Sequence, residues 1–365
     1  MARPAGDRRV SEPLLSVEGL RVAFESDRGV VRAVDGISYT VAAGQTLAIV
    51  GESGAGKTVS ARTLLGLTRG PETRTSGRIM FGGGDLATLG EAGLRSLMGD
   101  VVAMTSHDPL SVLHPLYRVG AQIDEAIRAH RRVSAAAARD RTIDMLELVG
   151  IPDPHRRVDA YPHELPPGMR QRAMLAVALA NGPKLLIADD PTRGLDVTLQ
   201  AQILALLEDL RERLGMAIIF LTRDLGMVAE IADNVAVMYA GRIVELATTE
   251  QIFLAPQHPY TWGLLRSLPR LLEVAGERRV PISGPPPSLI DRPSGCHFHP
   301  RCPYAQDSHR RIDPQLRPVE GEDGHGVACL LPTSVRRQIW QGLESGQDLP
   351  SLQHLAGSLM REQGS

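Results

Sequence analysis

The chain has 365 residues, of which 43% are hydrophobic and 22% charged, with 40 Lys and Arg against 42 Asp and Glu. This length corresponds to about two or three domains, and the near-neutral charge argues against a nucleic-acid-binding surface. No apolar run approaches the roughly 18 residues that cross a bilayer, and no apolar segment follows the charged N-terminus, so the sequence predicts a cytoplasmic protein. The three cysteines are an odd number confined to the last fifth, which argues against a secreted disulfide framework.

The first part of the chain predicts strands around a glycine-rich loop. Residues 1–12 are polar and aperiodic, which is typical of a disordered tail. Alternating or continuous apolar patterns predict strands over residues 14–22, 30–41, 46–50 and 77–81. Helical spacing predicts a helix over 59–67.

The middle of the chain predicts an α/β core interrupted by helices. Residues 106–180 have helical spacing and are expected to form a helical insertion. The continuous apolar runs 184–188 and 217–221 are typical of parallel strands buried on both faces, and a helix is predicted between them over 199–214. The domain boundaries expected from these patterns are a tail over 1–12, a nucleotide-binding core over 13–105 and 181–260, a helical subdomain over 106–180, a Pro-rich, Cys-containing extension over 261–335 and a polar tail over 336–365.

Residues 51–58 match the phosphate-binding pattern G-x-x-x-x-G-K-[ST] between a predicted strand and a predicted helix. They are Gly51, Glu52, Ser53, Gly54, Ala55, Gly56, Lys57 and Thr58. The glycines let backbone N–H groups point into one concavity at a helix N-terminus, which favours bound phosphate. Lys57 is expected to reach the β- and γ-phosphate oxygens, and Thr58 to bind Mg²⁺. The alternative is a glycine turn that only caps the following helix.

Asp189 ends the apolar strand predicted over 184–188. The carboxyl end of such a strand lies beside the phosphate loop in a doubly wound sheet, so Asp189 is expected to hold Mg²⁺ through water. The alternative role for an Asp at this position is a helix cap or a turn residue.

These motifs resemble an ATP-binding cassette, and more narrowly the ATPase subunits of oligopeptide, dipeptide and nickel importers, over about residues 14–335. The further segments that carry the resemblance are 108–115, 165–172, 188–196, 221–228 and 295–303. The resemblance implies an α/β P-loop NTPase core with a helical subdomain and a small C-terminal extension. It also implies ATP and Mg²⁺ as cofactors.

In the resembling family, two subunits close head to tail on two ATP molecules, and the phosphate loop of each faces the signature helix of the other. Phe24 aligns with an aromatic residue that stacks on adenine, although a lone Phe after a strand is as often a core residue. Asp196 aligns with the loop that crosses the dimer interface.

The sequence departs from the family pattern at four places. The signature Leu-Ser-Gly-Gly-Met-Arg-Gln-Arg is replaced by Leu165, Pro166, Pro167, Gly168, Met169, Arg170, Gln171 and Arg172. The glutamate that polarises the attacking water is replaced by Asp190, the glutamine of the coupling loop by His107, and the γ-phosphate histidine by Arg223. We therefore expect nucleotide binding with weak hydrolysis; the alternative is neutral variation in a working enzyme.

The resemblance implies a peripheral subunit at the cytoplasmic face of the membrane, bound to two membrane-spanning permease subunits, with an extracytoplasmic solute-binding protein that acts through them. The altered positions favour a heterodimer with a second, intact ATPase subunit, because a homodimer would carry every defect in both sites. One alternative is a regulatory or structural cassette that binds ATP without hydrolysing it. A soluble ATP-binding cassette protein that acts in repair or translation is disfavoured, because the Pro-rich, Cys-bearing C-terminus is similar to that of the peptide importers.

The C-terminal module of the resembling family often carries four cysteines. Here the corresponding residues are Cys296, Cys302, His309 and Cys329, so the implied ligand set is Cys₃His. This set suits a [4Fe–4S] cluster or tetrahedral zinc, with His325 as a possible substitute ligand. The alternative is that no metal binds and the thiols remain from a lost site.

Overall fold

The computed structural model describes residues 12–268 and 282–363, with side chains up to residue 358 in the last helix. Of the tail predicted over 1–12, only Glu12 lies within this part of the chain. The strands β1 to β12 are Leu15–Ser26, Gly29–Val41, Thr46–Val50, Thr73–Phe81, Gly84–Asp85, Val102–Thr105, Leu185–Asp189, Ala217–Thr222, Asn234–Tyr239, Arg242–Thr248, Arg317–Pro318 and Gly326–Val327.

The α-helices are numbered in the same way. Helices α1 to α13 are Lys57–Leu64, Glu91–Leu97, Pro109–Val112, Val119–His130, Ala135–Leu148, Pro154–Arg157, Pro167–Leu179, Val197–Leu214, Leu225–Ile231, Thr249–Leu254, Pro259–Arg266, Thr333–Glu344 and Leu349–Gln363. Short 3-10 turns occur at Leu86–Thr88, Pro162–Glu164 and Asp307–Arg310. Within the described ranges, no helix is both long enough and apolar enough to cross a bilayer.

The core is an eight-stranded sheet with the order β11-β12-β10-β9-β3-β8-β7-β6. Strand β3 pairs in parallel with β8 and β9, and β7 pairs in parallel with β6 and β8. Every residue of β3, β7 and β8 is buried, as expected for parallel strands covered on both faces. The predicted α/β fold is confirmed, and the carboxyl ends of β3, β7 and β8 lie side by side.

A second sheet is antiparallel, with the order β2-β1-β4-β5. Its apolar side chains, including Leu15 and Val41, belong to one hydrophobic cluster with Leu47 of β3 and Ile187 of β7. The two sheets therefore share a core. This packing brings the end of β1 close to the phosphate loop.

Five helices, α3 to α7, lie between β6 and β7, where the sequence predicts an insertion. Their buried side chains, among them Ile123, Ile127, Leu146 and Leu175, form a separate hydrophobic cluster that also contacts β7 and β8. Helix α7, which begins with the signature segment, is thereby fixed to the core sheet.

The C-terminal region differs from the predicted arrangement. Strand β12 pairs with β10, with Val327 opposite Glu245, so the extension adds strands to the core sheet. Residues 336–365, predicted as a polar tail, contain most of α12 together with α13. Their apolar side chains recur at helical spacing and are buried: Ile339 and Leu343 pack with Leu352 around Trp262.

Candidate functional site

The phosphate loop joins the end of β3 to the first residue of α1. Two of its glycines are required by close backbone contacts. A Cβ at Gly51 would lie 2.1 Å from the carbonyl oxygen of Met238, and a Cβ at Gly56 would lie 2.2 Å from that of Ala33. Gly56 also has φ 103°, a conformation that L side chains rarely adopt. The loop backbone is therefore held against β2 and β9 in a shape that only glycine permits.

Lys57 is held at the centre of this loop. Its Nζ donates hydrogen bonds to the carbonyl oxygens of Gly51, at 2.6 Å, and Glu52, at 3.0 Å. Burial lowers the pKa of Lys57 to about 8, although the nearby carboxylates of Asp190 and Asp189 raise it. The ammonium group is thus a desolvated cation beside two acids, which suits it for contact with phosphate oxygens.

Thr58 and Asp189 meet beside Lys57. The Thr58 hydroxyl lies 3.0 and 3.1 Å from the two carboxylate oxygens of Asp189. Burial raises the pKa of Asp189, while the hydrogen bond from Thr58 lowers it. A hydroxyl and a carboxylate at this separation are oxygen ligands of the kind that Mg²⁺ prefers, and they stand next to the phosphate loop. The donor set therefore fits a magnesium ion bound with a nucleotide.

A cavity of about 440 Å³ lies over the phosphate loop. It is lined by loop residues 53–58 and by Phe24, Asp189, Asp190, Arg193, Thr222 and Arg223, among others. Phe24 is half-buried and also packs against the core cluster, so both of its expected roles agree with its position. The fold thus gathers residues from six separate segments of the chain at one cavity over the phosphate loop.

Asp190 and Arg223 form a pair at the mouth of this cavity. Asp190 has φ 50°, and its carboxylate lies 3.8 Å from Nε of Arg223. The guanidinium of Arg223 also lies 3.4 Å from the hydroxyl of Ser53. Arg223 is half-exposed and connects the phosphate loop to the carboxylate that replaces the family's glutamate. As a guanidinium, it donates hydrogen bonds and accepts none.

The other predicted catalytic and interface residues lie outside this cavity. His107 is exposed on the segment between β6 and α3. Asp196 caps α8, where its carboxylate accepts a hydrogen bond from the Leu199 amide at 3.0 Å. No described residue of the signature segment, 165–171, lines the cavity of its own chain. These positions remain predictions for a site completed by a second subunit.

The signature segment forms the start of α7. Pro166 is the N-cap residue and Pro167 the first helical residue, where the missing N–H of proline costs no intrahelical hydrogen bond. Gly168 is buried against Leu199, and a Cβ there would lie 3.0 Å from the Leu199 side chain. The helix therefore survives, but Pro166 supplies no hydroxyl and Pro167 no N–H to a phosphate.

The predicted Cys₃His metal site is not assembled. The described residues contain no group of three or more Cys, His, Asp or Glu side chains that could hold a metal ion. Burial raises the pKa of all three cysteines, that of Cys329 to about 11, so they lie in surroundings that favour thiols over metal-binding thiolates. Nδ1 of His309 accepts a hydrogen bond from the Gln306 amide at 3.1 Å.

His325, the substitute ligand, has hydrogen-bond partners at both of its ring nitrogens. Its ring nitrogens lie 2.8 Å from a carboxylate oxygen of Glu245 and 2.6 Å from one of Glu322. Both nitrogens therefore have carboxylate partners, and the residues as arranged do not fit an iron–sulfur cluster or zinc.

One residue of the site was missed by the sequence reasoning. Arg301 of the C-terminal extension donates hydrogen bonds from its two terminal nitrogens to the carboxylate of Glu52, at 2.7 and 3.0 Å. The segment 295–303 belongs to the sequence resemblance, but nothing in the local sequence assigns its arginine a partner 249 positions earlier.

Two family models match the chain. The model described as ABC transporter matches residues 34–193, and the model described as oligopeptide/dipeptide transporter, C-terminal region, matches residues 244–308. The first match contains the phosphate loop and Asp189. The second contains Arg301 and two of the three cysteines.

Several named proteins are similar to this chain over most of their length. The dipeptide transport ATP-binding protein DppD of Haemophilus influenzae is 48% identical over 320 residues, which is 87% of this chain and 96% of that protein. DppD of Escherichia coli is 47% identical, with 87% and 97% covered. The oligopeptide transport ATP-binding protein OppD of Bacillus subtilis is 47% identical, with 87% and 88% covered.

Solved structures share the fold. The ATP-binding cassette MJ0796, in a dimeric post-hydrolysis state, superposes with a TM-score of 0.58 at 20% identity and covers 64% of this chain and 98% of that one. The cbiO1 protein of Clostridium perfringens, part of an ABC transporter complex, has the same TM-score at 27% identity, with 67% and 92% covered.

Proposed function

Since the chain belongs to the ATP-binding subunits of the ABC transporter family, with the C-terminal region of the oligopeptide/dipeptide transporters, we propose that it binds MgATP for a peptide importer. The observation that carries this proposal is the convergence of Lys57, Thr58 and Asp189 on the glycine-rich loop. The cavity above them accepts the nucleotide, with Phe24 at its edge as the candidate adenine contact.

Each of these residues has a defined task. The loop amides and Lys57 would bind the β- and γ-phosphates, and Thr58 with Asp189 would hold the Mg²⁺ ion. The metal, when bound, offsets the negative charge that develops on the transferred phosphoryl group. Binding therefore depends on groups that are all present.

The proposed function includes slow ATP hydrolysis by this subunit. Asp190 is one methylene shorter than the glutamate it replaces, and a group withdrawn by about an ångström costs on the order of a hundredfold in rate. Its carboxylate also faces Arg223, which competes with the attacking water for it. Arg223 stabilises phosphate charge but accepts no hydrogen bond from water.

A second, intact ATPase subunit fits this pattern of defects. In a head-to-tail heterodimer, one composite site contains Asp190, His107 and Arg223 together with the partner's signature. The other contains the partner's catalytic residues facing Pro166 and Pro167 of this chain. A homodimer would combine every substitution in both sites, so the heterodimer is the arrangement that we propose.

Docking to the permease subunits is supported by an exposed apolar patch next to His107. The patch consists of Leu110, Val112, Leu116 and Tyr117, with side chains 45–77% exposed on α3 and the segment that follows it. Large apolar side chains clustered in this way mark interaction surfaces. The permeases would hold the subunit at the cytoplasmic face of the membrane, and the solute-binding protein would act through them.

The second candidate function is a regulatory or structural cassette that keeps ATP as a fixed ligand. The pairing of Asp190 with Arg223 favours it, because both residues that should act on water are engaged with each other. The two functions differ when the complete transporter is assembled. If a solute-binding protein loaded with its solute raises the rate of ATP turnover, the result supports transport. If the rate is the same with and without that protein, the result supports the regulatory cassette.

Equilibrium binding of labelled MgATP to the full chain tests the proposed site. Lys57→Ala removes the central cation and should abolish measurable binding. Lys184→Ala is the matched control, because Lys184 is the other lysine of the chain and is exposed away from the cavity. Equal affinity of the wild type and Lys57→Ala would refute the assignment of the loop.

A further inference from the structure

Glu52 introduces a negative charge into the phosphate loop. It follows Gly51 directly, and its carbonyl oxygen accepts a hydrogen bond from Lys57 Nζ at 3.0 Å. An unpaired carboxylate at this position would repel the phosphates of an incoming nucleotide, because charges attract or repel strongly near a desolvated site. A cation other than Lys57 is therefore needed to neutralise the Glu52 carboxylate, because Lys57 is the proposed partner of the phosphates.

Arg301 is that cation. Its two terminal nitrogens lie 2.7 and 3.0 Å from the two carboxylate oxygens of Glu52, the bidentate geometry of strong guanidinium–carboxylate pairs. Its side chain is only 5% exposed. Hydrogen bonding to Glu52 raises the pKa of Arg301 above its ordinary range.

The C-terminal extension holds Arg301 in place. Nε of Arg301 donates to the carbonyl oxygen of Ser283 at 2.9 Å, and its guanidinium lies over the ring of Tyr239, 5.8 Å from the centroid. Tyr239 also packs against Tyr260 and Phe298. Besides Glu52, the arginine is thus held by Ser283 and by Tyr239.

The backbone of the loop is held by the same region. The amide of Glu52 donates a hydrogen bond to the hydroxyl of Tyr260 at 2.9 Å, and Tyr260 is completely buried in α11. Glu52 is therefore bound through its amide by Tyr260, at the end of the predicted core, and through its carboxylate by Arg301 of the extension. The carbonyl oxygen of Glu52 accepts the hydrogen bond that orients Lys57.

We propose that Arg301 is a positioning residue for ATP binding, through which the C-terminal extension neutralises Glu52 and fixes the phosphate loop. The proposal rests on the proposed nucleotide-binding function and deepens it. It assigns the extension a direct effect on nucleotide affinity, in addition to its packing on the core sheet.

The test compares MgATP affinities of full-length variants, using ATP with a fluorescent ribose label. Arg301→Met should weaken binding about tenfold, the size expected for one uncompensated charge near the phosphates. The double variant Arg301→Met with Glu52→Gln should bind within about threefold of the wild type, because the uncompensated carboxylate is gone. Arg213→Met, which removes the exposed pair with Asp209, is the matched control and should bind normally.

Rescue by Glu52→Gln separates charge compensation from simple structural support. If Arg301 only attached the extension, the double variant would bind as weakly as Arg301→Met, and that result would overturn the proposal. Equal affinity of Arg301→Met and the wild type would also overturn it.

If thermal melting shows that Arg301→Met is unfolded, the MgATP affinity of the single variant Glu52→Gln tests the proposal instead. Affinity at least equal to that of the wild type supports the proposal, and weaker binding refutes it. Failure of the wild-type chain itself to bind MgATP would instead refute the proposed function.

Discussion

At the scale of single residues, the site combines an intact phosphate loop with altered catalytic positions. Lys57, Thr58 and Asp189 have the contacts that phosphate and Mg²⁺ binding requires. Asp190 and Arg223 instead face each other at 3.8 Å. Since these two groups of residues have different chemical roles, nucleotide binding and hydrolysis can be tested independently.

Restoring the family residues should raise the hydrolysis rate. In the presence of an intact partner subunit that supplies the signature, Asp190→Glu with Arg223→His should increase ATP turnover by about tenfold to a hundredfold. The same chemical changes at an exposed pair, Asp209→Glu with Arg213→His, provide the control and should leave turnover unchanged. No increase in the first variant would show that Asp190 and Arg223 do not limit the rate.

The lowered pKa of Lys57 predicts how affinity depends on pH. Below pH 8 the ammonium form is present in the free protein, and affinity for MgATP should be constant. Above pH 8 the free protein loses the proton that the bound phosphates require, so affinity should fall by up to about tenfold per pH unit. Binding titrations between pH 7 and pH 9.5 measure this slope, and an affinity constant across that interval contradicts it.

At the scale of secondary structure, continuous apolar runs predicted the central strands well. The runs over 184–188 and 217–221 coincide with β7 and β8, because a strand buried on both faces needs apolar residues at every position. The phosphate loop was equally predictable, since its pattern contains the turn, the helix N-terminus and the chemistry in eight adjacent residues.

Long-range pairing was not predictable from local sequence. Strand β12 has two residues and is defined by its pairing with β10 on one side and β11 on the other. The sequence shows an amphipathic stretch over 335–343, within α12, but the packing of α12 against α13 was not predicted because polar residues dominate the rest of 336–365. Likewise, the partner of Arg301 lies 249 residues away, and the predicted Cys₃His set depended on an arrangement that spacing alone does not determine.

The buried hairpin predicts a large effect of a conservative core substitution. Leu352 is fully buried between α12 and α13, so Leu352→Ala should lower the free energy of unfolding by about 2–5 kcal/mol. Leu254→Ala is the matched control, because Leu254 is 65% exposed and its loss should cost less than about 0.5 kcal/mol. Urea unfolding measures both. An unchanged Leu352→Ala variant would mean that 336–365 behaves as the polar tail first predicted.

At the scale of the whole molecule, this chain is one half of a two-subunit ATPase in our account. It contributes the phosphate loop to one composite site and the altered signature to the other. The exposed patch of Leu110, Val112, Leu116 and Tyr117 then faces the permeases, while α7 faces the second ATPase subunit. In the proposed heterodimer, each composite site would combine substituted residues of this chain with intact residues of the partner.

Steady-state ATPase activity of the purified chain, at a MgATP concentration that saturates binding, tests this account most directly. We predict bound nucleotide with turnover near background, and a clear increase only when an intact second subunit is added. Sustained turnover of the pure subunit at about one per second or faster, the lower end of ordinary enzyme rates, would contradict the account.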